Sequence, residues 1–296
     1  WTLLGGLLFS IMSVLIKVLG TRLDIFQVAF FRAAFGLATL LPFAIAAGPR
    51  VLRTHRPVAH VIRGLIGAAG MFCGFYSIAK LPLADSSAYS FTRPLFLIVL
   101  AVLFLGERIR LRRVTATAVG FVGVLVMLRP HGGIETAAVV GLLGALFAAL
   151  VSIFIKQLSE TEKPITVLLY FGLVSTAVTL APAIFVWQPA TLWELVMLML
   201  IGATGASAQS AMIRGYAITE ATAVAGYDYA RLIYAAVLGF AVFGEVPGLW
   251  TVAGALTVAS STLYIAYREA QLGKRTPPPM PVAAAVAATP VSRTQG

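Results

Sequence analysis

Charge is what this sequence has least of. Only 11% of its 296 residues are Asp, Glu, Lys or Arg, under half the roughly 25% of a soluble domain. Acidic residues are scarcer still, 11 against 22 Lys and Arg, for a formal net charge of +11. Cysteine occurs once, at Cys73, which excludes an intrachain disulfide and leaves a small core residue. The three histidines, His55, His60 and His131, fall in expected loops without metal-ligand spacing, so neither a metal nor any other cofactor is expected. There is no P-loop for an ATP-driven motor, no HExxH and no paired Asp-rich motif. An intramembrane protease, a prenyl transferase and enzymes in general are therefore set aside. No cleavable signal peptide is recognisable. The chain opens on Trp1 without a methionine, so a few preceding residues are expected to be missing.

What is present is apolar. Hydrophobic residues make up 59% of the chain, and the mean hydropathy is +0.93. They lie in blocks near 20 residues long, which at about 1.5 Å rise per residue match the hydrocarbon thickness of a bilayer. Ten blocks are expected to be helices, over 1–19, 25–47, 58–79, 84–105, 113–129, 137–157, 165–187, 192–214, 221–243 and 249–267. Turn or helix-entry signals separate them, such as Leu81-Pro82, Lys163-Pro164 and Val246-Pro247. The connections are short, so neighbouring helices run antiparallel and no extramembrane domain fits. The runs do not alternate, which argues against a β-barrel. From Glu269 the sequence turns proline- and alanine-rich, and residues 269–296 are read as a disordered cytoplasmic tail.

The cations lie between the apolar blocks and form no groove-reading motif, so the bilayer, not nucleic acid, is the expected partner. With the N-terminus inside, fifteen Lys and Arg fall on the cytoplasmic side. Lys17, Arg22, Lys80 and Arg129 fall outside, and Arg32, Arg93 and Arg231 lie within spans. This asymmetry places both termini in the cytoplasm.

The chain repeats itself at an offset near 138. Tyr89, Arg93 and Gly106-Glu107 correspond to Tyr227, Arg231 and Gly244-Glu245; Ser13 and Lys17 correspond to Ser152 and Lys156. One five-helix unit is used twice, over 1–130 and 131–268. Because five is odd, the second unit enters the membrane from the opposite face. The fold class expected is an all-α polytopic membrane protein of ten transmembrane helices, two inverted five-helix repeats around a central cavity, an arrangement suited to alternating access.

Arg93 and Arg231 sit near the centres of helices 4 and 9, where a charge costs roughly 2.5–3.5 kcal/mol or more. A carboxylate, backbone carbonyls, a wet cavity or an anionic ligand has to compensate. Tyr89 and Tyr227 lie four residues before each arginine, on the same helix face. Two guanidinium groups and two phenols around one space suit a carboxylate or phosphate. Asp228, three residues before Arg231, either neutralises it in one state and frees it in another, carries a coupled proton, or forms a permanent pair; Ser90 takes its place in the first copy. Arg93 is therefore the expected ligand-facing cation. Glu107 and Glu245 end their helices and are expected to pair with nearby cations or cap a packing contact. Arg32 either snorkels outward or lines the outer vestibule. Gly64, Gly67, Gly70 and Gly74 let helix 3 pack closely, with Tyr76 following. Gln209 is expected to face the interior, and Phe9 and Ser13 to line the cavity from helix 1.

The run RGLIGAAGMFCGFYSIAKLPLADSSAYSFTRPLFLIVLAVLFLGERI (Arg63–Ile109) and GFVGVLVMLRP (Gly120–Pro130) resemble the EamA branch of the drug/metabolite transporter superfamily, over residues 1–268. The second copy departs from the usual entry, with Thr219-Glu220-Ala221-Thr222 where the first has Leu-Pro-Leu-Ala. The resemblance implies a carrier in the bacterial inner membrane, with helices 5 and 10 peripheral and the rest around a cavity. The function expected is a secondary active exporter of small metabolites, amino acids including aromatic ones, by alternating access. The alternatives are a carrier for another anionic or zwitterionic metabolite (nucleotide-like, riboflavin or S-adenosylmethionine) or a passive channel. The protein is expected as a monomer or homodimer.

Overall fold

Inside hydrocarbon the backbone has no water to bond, so an apolar block must satisfy its own N–H and C=O groups, and a helix does this within one segment. The structure, a computed structural model, describes residues 1–105, 111–128, 135–159, 161–218 and 230–273. Eleven α-helices lie among them: α1 (Thr2–Leu19), α2 (Ile25–Ala47), α3 (Pro57–Lys80), α4 (Leu83–Ser90), α5 (Arg93–Leu105), α6 (Leu111–Leu128), α7 (Thr136–Ser159), α8 (Pro164–Phe185), α9 (Leu192–Ile218), α10 (Ala230–Phe243) and α11 (Leu249–Gly273). Among the described residues there is no strand. Five of these helices are long and apolar enough to cross a bilayer, and four shorter ones are apolar. Large side chains such as Phe43, Phe185 and Leu192 stand exposed, on an apolar surface far more extensive than a monomeric soluble protein presents.

Local chemistry sets the ends. The Asp24 carboxylate accepts from the Phe26 N–H at 2.9 Å and caps α2. Pro57 and Pro164 open α3 and α8 where a missing N–H costs nothing. Gly48, at φ 81°, turns the chain out of α2. Two expectations change. The span read as one helix over 84–105 is two helices, parted at Phe91–Thr92. And α11 runs on to Gly273, so the first five residues of the segment read as tail are helical; residues 274–296 lie outside those described.

The helices pair in a regular scheme. α2 packs on α8 and α6 on α11; α3 packs on α7 as α1 does on α9; α1 packs on α10 as α5 does on α7. Directions follow from the contacts. Leu37 meets Gly172 and Ala44 clusters with Leu169, so α2 and α8 run antiparallel. Gly120 lies against Ser261 and Gly123 against Gly254, so α6 and α11 do too. Gly70 meets Phe147, and Gly141 meets Ser77, which sets α7 antiparallel to α3. The largest core cluster joins Met12, Ile16 and Leu19 of α1 to Phe75, Leu198 and Ile201.

At one end of the bundle Glu162 accepts from the Thr54 hydroxyl at 2.6 Å and the His55 N–H at 3.0 Å, tying the α2–α3 connection to the α7–α8 turn. At the other end, the Gln27 amide and the Gln188 backbone exchange two hydrogen bonds, and Arg22 pairs with Glu194.

The α6–α11 seam generates a prediction. A Cβ on Gly254 would lie 2.5 Å from the Gly123 carbonyl oxygen and 2.3 Å from Met127 Cγ, and the carbonyl cannot step aside. Gly254→Val is expected to cost about 1–3 kcal/mol, read as a lower thermal transition of the purified protein in detergent.

Candidate functional site

Pro94 organises the centre of the site. It has no N–H to give the Ser90 carbonyl, and its ring crowds that turn. The chain tightens there instead: Phe91 N–H donates to Ala88 O at 3.1 Å, Thr92 N–H to Tyr89 O at 3.1 Å, and the Thr92 hydroxyl to Tyr89 O at 2.7 Å. Helix resumes at Arg93, with Leu95 N–H on Thr92 O at 3.0 Å. The break falls roughly 15 Å from the start of α4, about mid-membrane at 1.5 Å per residue. The side chain of Arg93 is exposed. At 100° per residue it leaves α5 between Phe96 and Leu97, the residues packed on Leu146 and Leu150 of α7.

The break also changes the expected pairing of Tyr89 with Arg93. They no longer share one continuous helix, so spacing by four does not place them on one face. Tyr89 is buried among Leu95, Val124 and Met127, and its hydroxyl donates to Met127 O at 3.2 Å.

Arg231 stands against α1. Its guanidinium lies 5.1 Å from the centroid of the Phe9 ring, a cation–π distance. Its Cβ lies 3.6 Å from where a Cβ on Gly6 would be, so glycine there sets the approach of the two helices. The Ser10 hydroxyl reaches Arg231 O at 3.5 Å. Ser13 is buried, and its hydroxyl turns back to Phe9 O at 2.9 Å. Tyr76 is half-buried on α3 and packs against the Tyr89 cluster. Gln209 is half-buried on α9 and lines a cleft with Arg32. Tyr227, Asp228 and Glu107 lie outside the described residues. Thus Arg231 and Phe9 meet; Arg93 stands at the helix break beside α7; Gln209 belongs to a different cleft.

Glu245 meets its expectation of pairing with a cation. Gly244, at φ 67°, turns the chain at the end of α10, a conformation glycine takes without strain. Glu245 then pairs with Lys17 of α1. Its other oxygen accepts from the Leu83 N–H at 2.9 Å, at the N-terminus of α4 where amides lack partners and the helix dipole favours an anion. The Lys17 ammonium also donates to Leu81 O at 2.6 Å. Three helices are joined at this end by one ion pair. Only the recurrence of Gly-Glu hinted at it.

Two residues depart from their sequence reading. Arg63, counted among the cytoplasmic cations, is buried in α3; it donates to Val167 O at 3.2 Å and stacks 4.8 Å from the Phe171 ring. His60, expected in a loop, is buried in the same helix with its ring 4.6 Å from that of Tyr170. Both lie in the first turns of the helix expected over 58–79, and those turns are already packed against α8 rather than exposed at the membrane face.

Five helices long and apolar enough to cross a bilayer, with four shorter apolar ones beside them, define a multi-pass membrane protein. The chain belongs to the EamA-like transporter family, whose profile matches residues 1–129 and again 135–267. It is 36% identical over 270 residues to an S-adenosylmethionine uptake transporter of Rickettsia bellii (strain RML369-C), covering 91% of this chain and 93% of that one. It is 34% identical over 261 residues to the pseudopaline exporter CntI of Pseudomonas aeruginosa (strain UCBPP-PA14), covering 86% and 90%. It is 32% identical over 276 residues to a riboflavin transporter of Rhizobium johnstonii, covering 91% and 90%. A solved crystal structure shares the fold with a TM-score of 0.57 at 19% identity, over 88% of this chain and 95% of its own. The protein is a transporter of small metabolites.

A double-mutant cycle checks the three-helix junction. Lys17→Met or Glu245→Gln alone strands a partly buried charge or an unpaired helix end, and each is expected to lower stability by about 1–3 kcal/mol. The double variant should lie above the sum of the two losses by at least about 0.5 kcal/mol, read from thermal transitions in detergent.

Proposed function

We propose that this protein is a secondary carrier of a zwitterionic, amino-acid-bearing metabolite, with S-adenosylmethionine as the first candidate, and that it works by alternating access in the bacterial inner membrane. The observation that carries the reading is the break at Phe91–Thr92, with Arg93 exposed at the first residue of α5. A half-helix N-terminus at mid-depth turns unbonded N–H groups and its positive dipole end toward one point, and carriers use such ends for anionic solute groups. Arg93 adds a full charge there and a fork suited to a carboxylate. Arg231 comes from the other half and stands over Phe9 of α1, and the half-buried Phe9 and Tyr76 supply surfaces for an adenine ring or a sulfonium cation. Tyr227 and Asp228, by their spacing from Arg231, complete this set.

The similarity to S-adenosylmethionine uptake transporters supports an amino-acid derivative over the plain amino acids first expected. Relatives that import and relatives that export support a direction set by the gradient. The antiparallel pairing of α2 with α8 and of α6 with α11, which the repeat makes equivalents, supports two inverted halves, 1–130 and 131–268. With Arg63 set aside as buried, fourteen cations on one side against four on the other support cytoplasmic termini.

Counterflow in proteoliposomes tests the reading. Labelled S-adenosylmethionine is expected to accumulate against unlabelled solute inside. Arg93→Ala should lower the rate roughly tenfold to a hundredfold, the loss of a charge-assisted contact, while Arg93→Lys keeps part of it. Flux that neither saturates nor depends on trapped solute would point to a channel. Equal counterflow by wild type and Arg93→Ala would remove Arg93 from the solute path.

A further inference from the structure

Arg32 on α2 has no hydrogen bond, ion pair or ring contact among the described residues, and its Nε is buried without a partner. A guanidinium inside a membrane span is rarely left so, because its desolvation is uncompensated. It lines a small cleft between α2, α8 and α9, with a cavity volume of about 30 Å³ and one side open to the surroundings. Ser175, from α8, lines the same cleft; it is 0% exposed and its hydroxyl has no partner. Gln209, from α9, adds an amide that bonds to nothing described. Small residues keep the space clear. Gly205 leaves room beside Arg32, where a Cβ would come within 3.5 Å of Nε and Nη2. Gly202 lies so close to α2 that a Cβ would be 2.4 Å from that of Phe35.

Three helices thus bring three unbonded polar side chains to one cleft, and the described lining contains no carboxylate. The polar groups are mainly donors: the guanidinium fork, a hydroxyl and an amide NH₂. The rest of the wall is apolar, with Leu37, Leu40, Leu168 and Phe171. We infer that the α2–α8–α9 cleft is an anion site for a small monocarboxylate with an apolar tail, separate from the Arg93 position. The carboxylate takes the Arg32 fork and the Ser175 hydroxyl, Gln209 bonds its second oxygen, and the tail lies along the leucines. This goes beyond the carrier reading and needs neither Arg93 nor S-adenosylmethionine. An occupant bonds α2 and α8, which the repeat places at equivalent positions of the two halves, so it biases how the halves move.

The test is binding to the full-length protein in detergent, measured by calorimetry and by the shift of the thermal transition, with butyrate and valerate against butyramide and valeramide. Wild type is expected to bind the two carboxylates and not their amides. Arg32→Gln should weaken carboxylate binding about tenfold or more, Ser175→Ala should weaken it less, and Arg93→Gln should leave it unchanged. If Arg32→Gln does not yield folded protein, Gln209→Leu together with Ser175→Ala carries the same expectation. Equal binding of acids and amides, no binding by wild type, or loss in Arg93→Gln but not in Arg32→Gln overturns the site. The last outcome leaves the carrier reading standing, and failed counterflow alongside Arg32-dependent binding overturns only the carrier.

Discussion

In hydrocarbon a helix cannot stop without finding partners for the backbone groups it exposes, and that constraint governs how this bundle holds a half-helix at its centre. α4 has eight residues, too few to be stable alone. Its first N–H groups meet the Glu245 carboxylate, and its last carbonyls meet the Thr92 hydroxyl and the tightened turn at Phe91. Both ends are satisfied by residues outside the helix, so α1, α10 and α5 together fix its position. Pro94 removes one helical hydrogen bond at the break, though Pro42 and Pro182 sit inside unbroken helices, so the Thr92 hydroxyl and the tightened turn share in setting where Arg93 begins α5.

The two halves share a plan without sharing their polar groups. α2 and α8 pack as equivalents, yet the place of Arg32 is taken in the second half by Tyr170, which stacks on His60. Arg63 and His60 lie on the same α3–α8 contact, whereas α9, which answers α3, brings Gln209 and Gly202 to its contact with α2. The shape of the bundle is nearly symmetric while its charge is not.

How much the sequence disclosed depends on what each feature needs to be recognised. Helix ends set by local chemistry were legible: α2 spans 25–47 as expected because Asp24 caps it and Gly48 turns it out. The division of the fourth span was not, although Pro94 is plain in the sequence, because hydropathy runs through a break that depends on hydrogen bonds. The pairing of Tyr89 with Arg93 failed with it, since spacing by four presumes an unbroken helix. The junction of Lys17 with Glu245 joins residues 228 apart, and no local rule brings them together. Arg32 stayed ambiguous because its neighbours come from α8 and α9. Arg63 and His60 were misplaced by their nearness to a loop, when the first turns of α3 already pack against α8.

The Lys17–Glu245 junction has a consequence for leakage. One carboxylate holds a helix start with one oxygen and an ammonium with the other, and that ammonium also holds the end of α3. To part α1 from α10 at this face is to release Leu81, Leu83 and both charges at once, and to rehydrate all of them. Such a closure has few half-open forms. In a carrier driven by a gradient, a closure of this kind would let few ions or protons slip through while it is shut.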